Sequence, residues 1–386
     1  MLRKTDIGTL NPLHLDEAGQ HYLAAYLKQN ASATIIKKNQ RYAVELRKPN
    51  EMVSTCYEFS LTHKLIKRQR KDSKDKVSRY EVISNGSKIG KGGHAVILMS
   101  VGVLIPKNSR VTFKAKPRAI KKQYDTDLTK TEYAIAKKTK HLHIKPPSMT
   151  FFESKAFNER MTTFLAMRVM PGKNLHQIIE AEADGQPHLS ASERLALSIA
   201  ILRAIQAQSH ENGLIHRDIK AENLMIDIET NEVNLIDFSY SKDTNDPTSL
   251  PDTMGTIIMM PPEQFICRPD DMPAYSEKSD CYAAGKTLAE LWRAESEADG
   301  DRDYRTSNEA YMSYWRYAQK DTYFNFANFL ADDLTEDHLL EIKNIFMQLT
   351  RARPDDRSTL DQAIFALESI QTERQAALNS KSRLGF

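Results

Sequence analysis

The chain has 386 residues, of which 40% are hydrophobic and 27% charged. This composition is that of a globular protein, and it excludes a wholly disordered or collagen-like chain. The longest nearly apolar run, Val96 to Ile105, has ten residues. A membrane span needs about 20, so we expect no transmembrane segment. No apolar stretch of signal-peptide length follows the N-terminus, and the three cysteines are widely spaced, so we expect a reducing, cytoplasmic compartment.

The net charge of +3 conceals an uneven distribution of charge along the chain. Residues 1–145 carry 30 Lys and Arg against 12 Asp and Glu, whereas residues 146–386 carry 24 against 39. Such a chain either presents two regions to different partners, or neutralises the two regions against each other in the fold.

Residues 1–79 are predicted to form a helix, a hairpin and a basic linker. Asn11 can cap a helix and Pro12 suits a first helical position. Residues 41–61 hold two strand-like stretches separated by a turn signal, which is typical of a hairpin. Residues 64–79 carry eight Lys and Arg but only two Asp, which favours a solvated linker. Contact of this run with nucleic acid or an anionic membrane is the less favoured alternative.

From Tyr80 onwards, strand patterns come first and helix patterns follow. Strands are predicted at Tyr80–Ile83, Val96–Ile105, Val111–Phe113 and Phe164–Met170. Helices are predicted at Thr129–Lys140, Ser192–Gln208, Lys278–Ala294, His338–Thr350 and Leu360–Ile370. A strand-rich segment followed by a larger helix-rich segment indicates an α+β chain with two lobes.

The strongest signal for chemistry is the stretch His216-Arg217-Asp218-Ile219-Lys220-Ala221-Glu222-Asn223. Downstream lies Leu235-Ile236-Asp237-Phe238, an apolar strand pattern that ends in an acid. Asp237 and Asn223 offer the oxygen ligands that Mg²⁺ prefers, and Asp218 can accept a proton. These residues therefore predict a site for a metal ion and a phosphate.

The pattern H-R-D-x-K-x-x-N with its downstream acid resembles the catalytic loop and metal-binding segment of eukaryotic-type Ser/Thr protein kinases. The resemblance covers about residues 80–372. It implies a bilobal fold, with a small β-rich N-terminal lobe over residues 80–170 and a larger helical lobe over residues 171–372. Residues 1–79 then form an N-terminal extension and residues 373–386 a C-terminal tail.

The same resemblance implies a nucleotide site that begins at Ile89-Gly90-Lys91-Gly92-Gly93-His94-Ala95-Val96-Ile97, which looks like a kinase glycine-rich loop. Arg118-Ala119-Ile120-Lys121-Lys122 resembles the family's A-x-K strand. Lys121 would then contact the α and β phosphates and pair with Glu132, and Lys122 is the near alternative. The ATP-binding residues implied in this way are Gly90, Gly92, Ala95, Ile97, Ala119, Lys121, Met167, Met170 and Met225.

Residues 255–263 resemble the end of a kinase activation segment, and Glu263 is predicted to pair with Arg357 as a structural ion pair. The chain departs from the family pattern at Ser239, where the metal-binding triplet ends in serine instead of glycine. Serine keeps the metal ligand before it but loses the freedom of glycine at positive φ.

The resemblance implies an ATP- and Mg²⁺-dependent enzyme that phosphorylates Ser or Thr in a protein. Asp218 would position the substrate hydroxyl and accept its proton, Lys220 would neutralise the phosphate, and Asn223 and Asp237 would hold Mg²⁺. The acidic C-terminal region favours substrates with basic residues near the target hydroxyl. A catalytically silent kinase-fold scaffold and an enzyme acting on a lipid or small molecule are the alternatives. The divergence outside the motifs resembles secreted bacterial effector kinases, which act in a host cell.

Overall fold

The computed structural model describes residues 3–47, 53–68, 78–86, 88–91, 95–124, 126–145, 148–152, 160–245, 255–265, 276–296, 307–322, 324–325 and 334–384. The chain divides into two compact units, Met1–Val169 and Met170–Phe386. The first is built mainly of strands and the second mainly of helices, which confirms the predicted α+β class.

The N-terminal unit contains helices α1 (Glu17–Gln29) and α2 (Thr126–Ala136). Its strands are β1 (Arg3–Leu10), β2 (Ile35–Ile36), β3 (Tyr42–Leu46), β4 (Thr55–Leu61), β5 (Lys64–Arg68), β6 (Arg79–Ile83), β7 (Gly90–Lys91), β8 (Ala95–Lys107), β9 (Arg110–Lys114), β10 (Arg118–Gln123), β11 (Ser148–Phe152) and β12 (Arg160–Met167).

Two sheets organise the described strands of this unit. The smaller has the order β1-β4-β3, and its β1–β4 pair is parallel. The larger has the order β11-β12-β10-β8-β6-β5-β2, with β7 and β9 also paired to β8. The antiparallel β3–β4 pair confirms the predicted hairpin. Strand β10, which carries Lys121, therefore lies between β8 and β12 in the larger sheet.

Helix α1 begins later in the chain than the sequence predicts. Its N-cap is Asp16, whose carboxylate accepts a hydrogen bond from the backbone N–H of Gly19 at 2.7 Å. Asn11 instead accepts from the backbone N–H of Leu13 in a turn before the helix. The prediction of a helix start at Asn11 and Pro12 is therefore wrong, because Asp16 satisfies an N–H group of the first turn in the place expected for Asn11.

The basic linker predicted over residues 64–79 is wrong at its start. Lys64–Arg68 form strand β5, which pairs antiparallel with β6. Leu65 and Ile66 are both buried and belong to two different hydrophobic clusters, so this short strand is packed on both faces. Residues 69–77 lie outside the described residues.

The N-terminal extension shares a hydrophobic core with the strands that follow it. Helix α1 contributes Leu23 and Leu27, and strands β6 and β8 contribute Val82 and Leu104 to the same cluster of buried side chains. Burial of this apolar surface holds α1 and strands β2, β3, β4 and β5 against the predicted N-terminal kinase lobe. Within the N-terminal unit, the extension is thus part of one packed structure.

The helices of the C-terminal unit are α3 (Leu175–Ala183), α4 (Ala191–Gln208), α5 (Glu277–Leu291), α6 (Ser307–Ala318), α7 (Glu336–Leu349) and α8 (Leu360–Leu384). Its short strands are β13 (Lys173–Asn174), β14 (Leu214–Ile215), β15 (Leu224–Asp227), β16 (Glu232–Leu235), β17 (Lys242–Asp243), β18 (Glu295–Ser296) and β19 (Phe324–Asn325). Helix α8 continues past residue 372, so the predicted tail begins inside a helix.

Helix α4 positions the chain segment that carries the kinase-like motif. Ser190 and Glu193 form a reciprocal capping box at its start, which satisfies two backbone N–H groups. After the helix, Gly213 adopts a left-handed conformation with φ 67° and turns the chain into β14. The residues from His216 onwards follow directly. In the part of the chain that the structure describes, no helix has both the length and the apolar character to span a bilayer.

Candidate active site

In the N-terminal unit, Lys121 and Glu132 form a buried ion pair. The Nζ of Lys121 lies 3.0 Å from both carboxylate oxygens of Glu132, and the two side chains are 4% and 2% exposed. Lys121 belongs to β10 and Glu132 to α2, so the pair ties the helix to the sheet. Gln123 supports the arrangement with hydrogen bonds to Glu132 and Thr129.

Lys122, the alternative to Lys121, has a different environment. It is half-buried, and its ammonium lies 5.1 Å from the ring centroid of Tyr124. Successive residues of a strand face opposite sides of the sheet, so only one of the two lysines can share a face with Ala119. That residue is Lys121, two positions further along β10.

The predicted nucleotide-binding residues of the N-terminal unit lie on neighbouring strands. Ile97 of β8 is directly opposite Gly90 of β7 on one side and Lys121 of β10 on the other. Ala119 is directly opposite Met167, the last residue of β12. Ala95 begins β8.

Gly92, the remaining predicted residue of the glycine-rich stretch, lies outside the described residues. At Gly90, a Cβ atom would lie 3.5 Å from the nearest side-chain atom, on Ile97, which is an ordinary contact. The described part of this stretch therefore does not by itself require glycine at position 90.

In the C-terminal unit, Met170 and Met225 are the predicted nucleotide-binding residues. Met170 is the first residue of this unit and is buried. Met225 is half-buried on β15 and lies directly opposite Asn174 of β13 and Asn234 of β16. Strand β15 follows Asn223 directly, so Met225 lies two residues beyond the catalytic-loop motif.

The backbone of the catalytic-loop motif is held by Asp280 at the start of α5. Asp280 accepts hydrogen bonds from the backbone N–H of His216 at 2.7 Å and of Arg217 at 2.8 Å. It also accepts from Nε2 of His210 at 3.0 Å. Arg217 has φ 67°, a left-handed conformation rare for a residue with a side chain, and these bonds stabilise it.

The charge state of Asp280 follows from its hydrogen-bond partners. Burial opposes a charge on Asp280, but the hydrogen bond and charge of His210, together with the N–H of Arg217, hold the pKa of Asp280 below its usual range. Burial likewise opposes a charge on His210, yet the hydrogen bond and charge of Asp280 raise the pKa of His210. The two residues therefore stabilise each other in their charged forms.

Asp218 is the centre of a hydrogen-bond network in the C-terminal unit. The Nδ2 of Asn223 donates to Oδ2 of Asp218 at 2.9 Å and to its backbone carbonyl at 2.8 Å. The hydroxyl of Thr256 donates to Oδ1 at 2.7 Å. Lys220 donates to the same hydroxyl at 2.7 Å, and its Nζ lies 3.3 Å from Oδ2. The structure thus brings Asp218, Lys220 and Asn223 together and adds Thr256, which sequence reasoning missed.

Gly255 explains how Thr256 reaches Asp218. It has φ 125°, and a Cβ atom there would lie 2.5 Å from the backbone carbonyl oxygen of Arg217. Only glycine allows the two backbone segments to approach so closely. The Gly-Thr pair was therefore the sequence signal from which the role of Thr256 could have been recognised.

Asp237 lies beside the catalytic loop. The backbone N–H of Ile236 donates to the carbonyl of Asn223 at 2.9 Å, so the predicted metal ligands Asn223 and Asp237 lie on adjoining backbone segments. Asp237 has φ 63°, and its carboxylate accepts hydrogen bonds from both the backbone N–H and the hydroxyl of Ser239. Ser239 is absent from the positive-φ residues of the described chain, so it does not need the freedom of glycine.

His216 and Phe238 pack beside the segment that carries Asp237. Nε2 of His216 lies 3.1 Å from the carbonyl oxygen of Ile236, and its ring meets that of Phe238 edge to face with centroids 4.7 Å apart. Complete burial lowers the pKa of His216, so the imidazole is neutral at neutral pH.

The side chains of Asn223 and Asp237 fit a magnesium ion. The amide nitrogen of Asn223 is committed to Asp218, which leaves the amide oxygen as its ligand atom. Within the described ranges, no group of three or more His, Cys, Asp or Glu forms a metal cage. Mg²⁺ commonly binds one or two protein oxygens and completes its shell with water and substrate phosphates, so this sparse donor set suits it.

The comparisons with known proteins agree with this geometry. The protein kinase domain family matches residues 83–366 of the chain. The chain belongs to the protein kinase family. A probable serine/threonine-protein kinase of Corynebacterium efficiens is 28% identical over 241 residues, which are 58% of this chain and 32% of that protein.

Two further relatives are also kinases. The serine/threonine-protein kinase PknB of Mycobacterium leprae is 33% identical over 141 residues, covering 36% of this chain and 21% of that protein. Dual specificity mitogen-activated protein kinase kinase 7 of Homo sapiens is 26% identical over 151 residues, covering 37% and 34%. The matched part of this chain thus spans between 21% and 34% of the length of these relatives.

A buried ion pair joins Glu263, in the segment predicted to end the activation segment, to Arg357. Arg357 donates from Nη1 and Nη2 to the two carboxylate oxygens of Glu263 at 2.6 and 2.9 Å, and neither side chain is exposed. The predicted pairing is confirmed. Ser279 donates to Glu263 at 2.7 Å, and the guanidinium of Arg357 lies over the ring of Tyr282. These extra contacts offset the cost of burying both charges.

Proposed function

We propose that this protein is an ATP- and Mg²⁺-dependent serine/threonine protein kinase. The observation that carries the proposal is the Asp218–Thr256–Lys220 arrangement, in which a carboxylate, a hydroxyl and an ammonium lie within hydrogen-bond distance of one another. It supplies a proton acceptor and a positive charge at one place, as phosphoryl transfer to an alcohol requires.

The residues of each unit have distinct parts in this proposal. In the N-terminal unit, Lys121 would contact the nucleotide phosphates, and Glu132 would hold the Lys121 ammonium in place. In the C-terminal unit, Asn223 and Asp237 would hold the metal ion. ATP with Mg²⁺ supplies the phosphoryl group and neutralises its charge when bound.

The chemistry of the transfer would then depend on the C-terminal unit. Asp218 orients the substrate hydroxyl and accepts its proton, and Lys220 stabilises the negative charge on the transferred phosphate. Thr256 holds both side chains, since one hydroxyl donates to Asp218 and accepts from Lys220. The backbone bonds from His216 and Arg217 to Asp280 keep the loop in place before substrate arrives.

We further propose that the substrate is a protein segment with basic residues near the target hydroxyl. Glu222 is exposed beside the buried Asn223, and the region from residue 146 onwards is acidic overall. Opposite charge on the substrate would favour binding there. A peptide library with randomised flanks tests this point, and enrichment of Asp and Glu would contradict it.

The central experiment is phosphate transfer from labelled ATP with Mg²⁺, comparing the wild type with Asp218→Asn. The variant keeps the shape of the side chain but loses the proton acceptor, so we expect transfer to fall by about 10²- to 10⁴-fold. Asp227→Asn, at the end of β15, is the matched control and should leave transfer unchanged.

The acceptor of the label separates the alternatives. Label on protein Ser or Thr supports the proposal. Label on lipid or small molecules alone would assign a different substrate class, and absence of transfer by the wild type would make the protein a silent scaffold. If Asp218→Asn transferred phosphate as fast as the wild type, Asp218 would not be the proton acceptor.

A further inference from the structure

The paired strands β5 and β6 bring basic side chains together in the N-terminal unit. Arg68 and Arg79 are directly opposite each other in the β5–β6 register. Arg118, the first residue of β10, and Lys145 lie within electrostatic reach of both arginines. Together with Lys116, these residues are called the basic cluster below.

Among the residues that the structure describes, Glu81 is a carboxylate in contact with the basic cluster. Glu81 is 1% exposed. Its Oε1 pairs with Nε of Arg68, and its Oε2 accepts a hydrogen bond from the hydroxyl of Ser100 at 2.7 Å. Nε of Arg118 lies 3.9 Å from Oε1, which is beyond hydrogen-bond distance. Glu81 therefore hydrogen-bonds Arg68 and Ser100, and its contact with Arg118 is a longer ion pair.

Arg118 is buried with Glu81 as a charged neighbour that lies at ion-pair distance but not at hydrogen-bond distance. Its residue is 5% exposed, and its Nε has no hydrogen-bond partner in the part of the chain that the structure describes. Burial, followed by the charge of Arg68, lowers the pKa of Arg118. Burial and the charge of Arg118 lower the pKa of Lys145 in the same way.

A buried and poorly compensated guanidinium costs several kcal/mol unless an anion pairs with it. We propose that the basic cluster is a binding site for the phosphate group of a small soluble ligand. Arginine forks match phosphate oxygens in pairs, and several adjacent cations favour a doubly charged anion over a carboxylate.

The exposure of the cluster indicates the size of the ligand. The side chains of Arg118 and Arg68 are 7% and 9% exposed, Arg79 and Lys145 are half-buried, and Lys116 is exposed. A small anion fits an arginine residue that is 5% exposed better than the flat surface of a bilayer does. Two parts of the basic run at residues 64–79 are described: strand β5 and residues 78–79, of which Arg79 is the first residue of β6. Both would contribute side chains to the ligand site.

The cluster is separate from the predicted nucleotide residues. Arg118 and Lys121 are three positions apart on β10, so their side chains lie on opposite faces of the strand. Phosphate binding at the cluster therefore does not depend on the proposed kinase activity.

The test is a titration of the full-length protein with inorganic phosphate at constant ionic strength, with chloride as the reference anion. Phosphate should raise the midpoint of thermal unfolding by several degrees, because a ligand that binds only the folded state stabilises it. Equilibrium dialysis with labelled phosphate gives Kd. Arg118→Gln should weaken binding by at least about tenfold, since it removes a charge-assisted pair.

Three further variants keep the test decisive. Lys145→Gln, at a half-buried position, should also weaken binding, and it replaces Arg118→Gln if that variant does not fold. Lys114→Gln removes one charge at the exposed end of β9 and should leave Kd unchanged. Lys121→Ala should keep the phosphate shift, which separates this site from the proposed nucleotide site.

Soluble inositol trisphosphate and phosphatidylcholine vesicles containing a phosphoinositide distinguish the sources of the phosphate group. Binding of phosphate or of the soluble headgroup, lost in Arg118→Gln, supports the proposal. The same shift with chloride, an unchanged Kd in both cluster variants, or binding to vesicles alone would overturn it.

Discussion

The hydroxyl of Thr256 donates a hydrogen bond of 2.7 Å to the carboxylate of Asp218, across 38 positions of sequence. The same hydroxyl accepts from Lys220, so one side chain fixes the separation of an acid and a base. Gly255 permits the close approach of the two backbone segments. The conformation of the chain around position 256 therefore determines how the Asp218 carboxylate is held.

Replacement of Thr256 by valine should reduce turnover. Valine has the same shape but neither donates nor accepts a hydrogen bond, so Asp218 and Lys220 lose their common partner. A hydrogen bond to a charged group is worth about 1.5–3 kcal/mol, which corresponds to a fall in kcat of roughly 10- to 100-fold. Steady-state phosphate transfer measures this. Thr256→Ser keeps the hydroxyl and should retain most of the activity, and equal loss in both variants would contradict the assigned role.

The ion pair between Lys121 and Glu132 makes a prediction for stability. Glu132→Ala leaves the ammonium of Lys121 buried at 4% exposure without its carboxylate. Removal of one partner from a buried pair costs about 3–5 kcal/mol. We expect the free energy of unfolding in urea to fall accordingly, if Lys121 stays charged.

The double variant Lys121→Met with Glu132→Leu provides the control for that measurement. It replaces both charges by apolar groups of similar volume, so stability should recover while phosphate transfer does not. Recovery of phosphate transfer in the double variant would show that the pair is structural only.

The catalytic-loop residues could be predicted because they lie within one short stretch. His216 to Asn223 form a single loop, and Asp237 follows soon after, so residue type and spacing carry the information. The Glu263–Arg357 contact joins positions 94 residues apart, and only the resemblance to a family predicted it. Thr256 was missed because its sequence signal lies in the glycine before it, whose close approach to Arg217 only the structure shows.

The N-terminal strands were missed for a different reason. Strand β1 pairs in parallel with β4 about 50 residues away, and such non-local pairing leaves no signal near Arg3. At β5, the charge of the run predicted a linker, yet Leu65 and Ile66 are buried on opposite faces. A strand packed on both faces shows no alternation of polar and apolar residues, so periodicity could not identify it.

The contact between His210 and Asp280 predicts a pH-dependent stability. The raised pKa of His210 adds stability that is complete below its ordinary value of 6.5 and is lost as pH rises through the raised pKa. The lowered pKa of Asp280 adds stability that is complete above 3.8 and is lost as pH falls through the lowered pKa. The pair therefore contributes most between these two values.

Comparison of the wild type with His210→Gln should show this dependence of stability on pH. The difference in thermal midpoint between the wild type and the variant should be largest near pH 5–6 and should shrink at alkaline pH. A constant difference from pH 5 to 9 would contradict the assignment.

Ser239 gives the last prediction, because it replaces the glycine of the family's metal-binding triplet. Its hydroxyl donates to the carboxylate of Asp237, and Asp237, rather than Ser239, adopts the left-handed conformation. Ser239→Ala removes that hydrogen bond, and a hydrogen bond to a charged group is worth about 1.5–3 kcal/mol. We expect the Mg²⁺ concentration for half-maximal activity to rise roughly 10- to 100-fold, with an unchanged KM for the peptide substrate. Ser239→Thr should behave as the wild type, since it keeps the hydroxyl. Ser239→Gly restores the family residue but not the hydrogen bond, so it should resemble Ser239→Ala. If the glycine variant is instead more active than the wild type at low Mg²⁺, then backbone freedom matters more at position 239 than the hydroxyl.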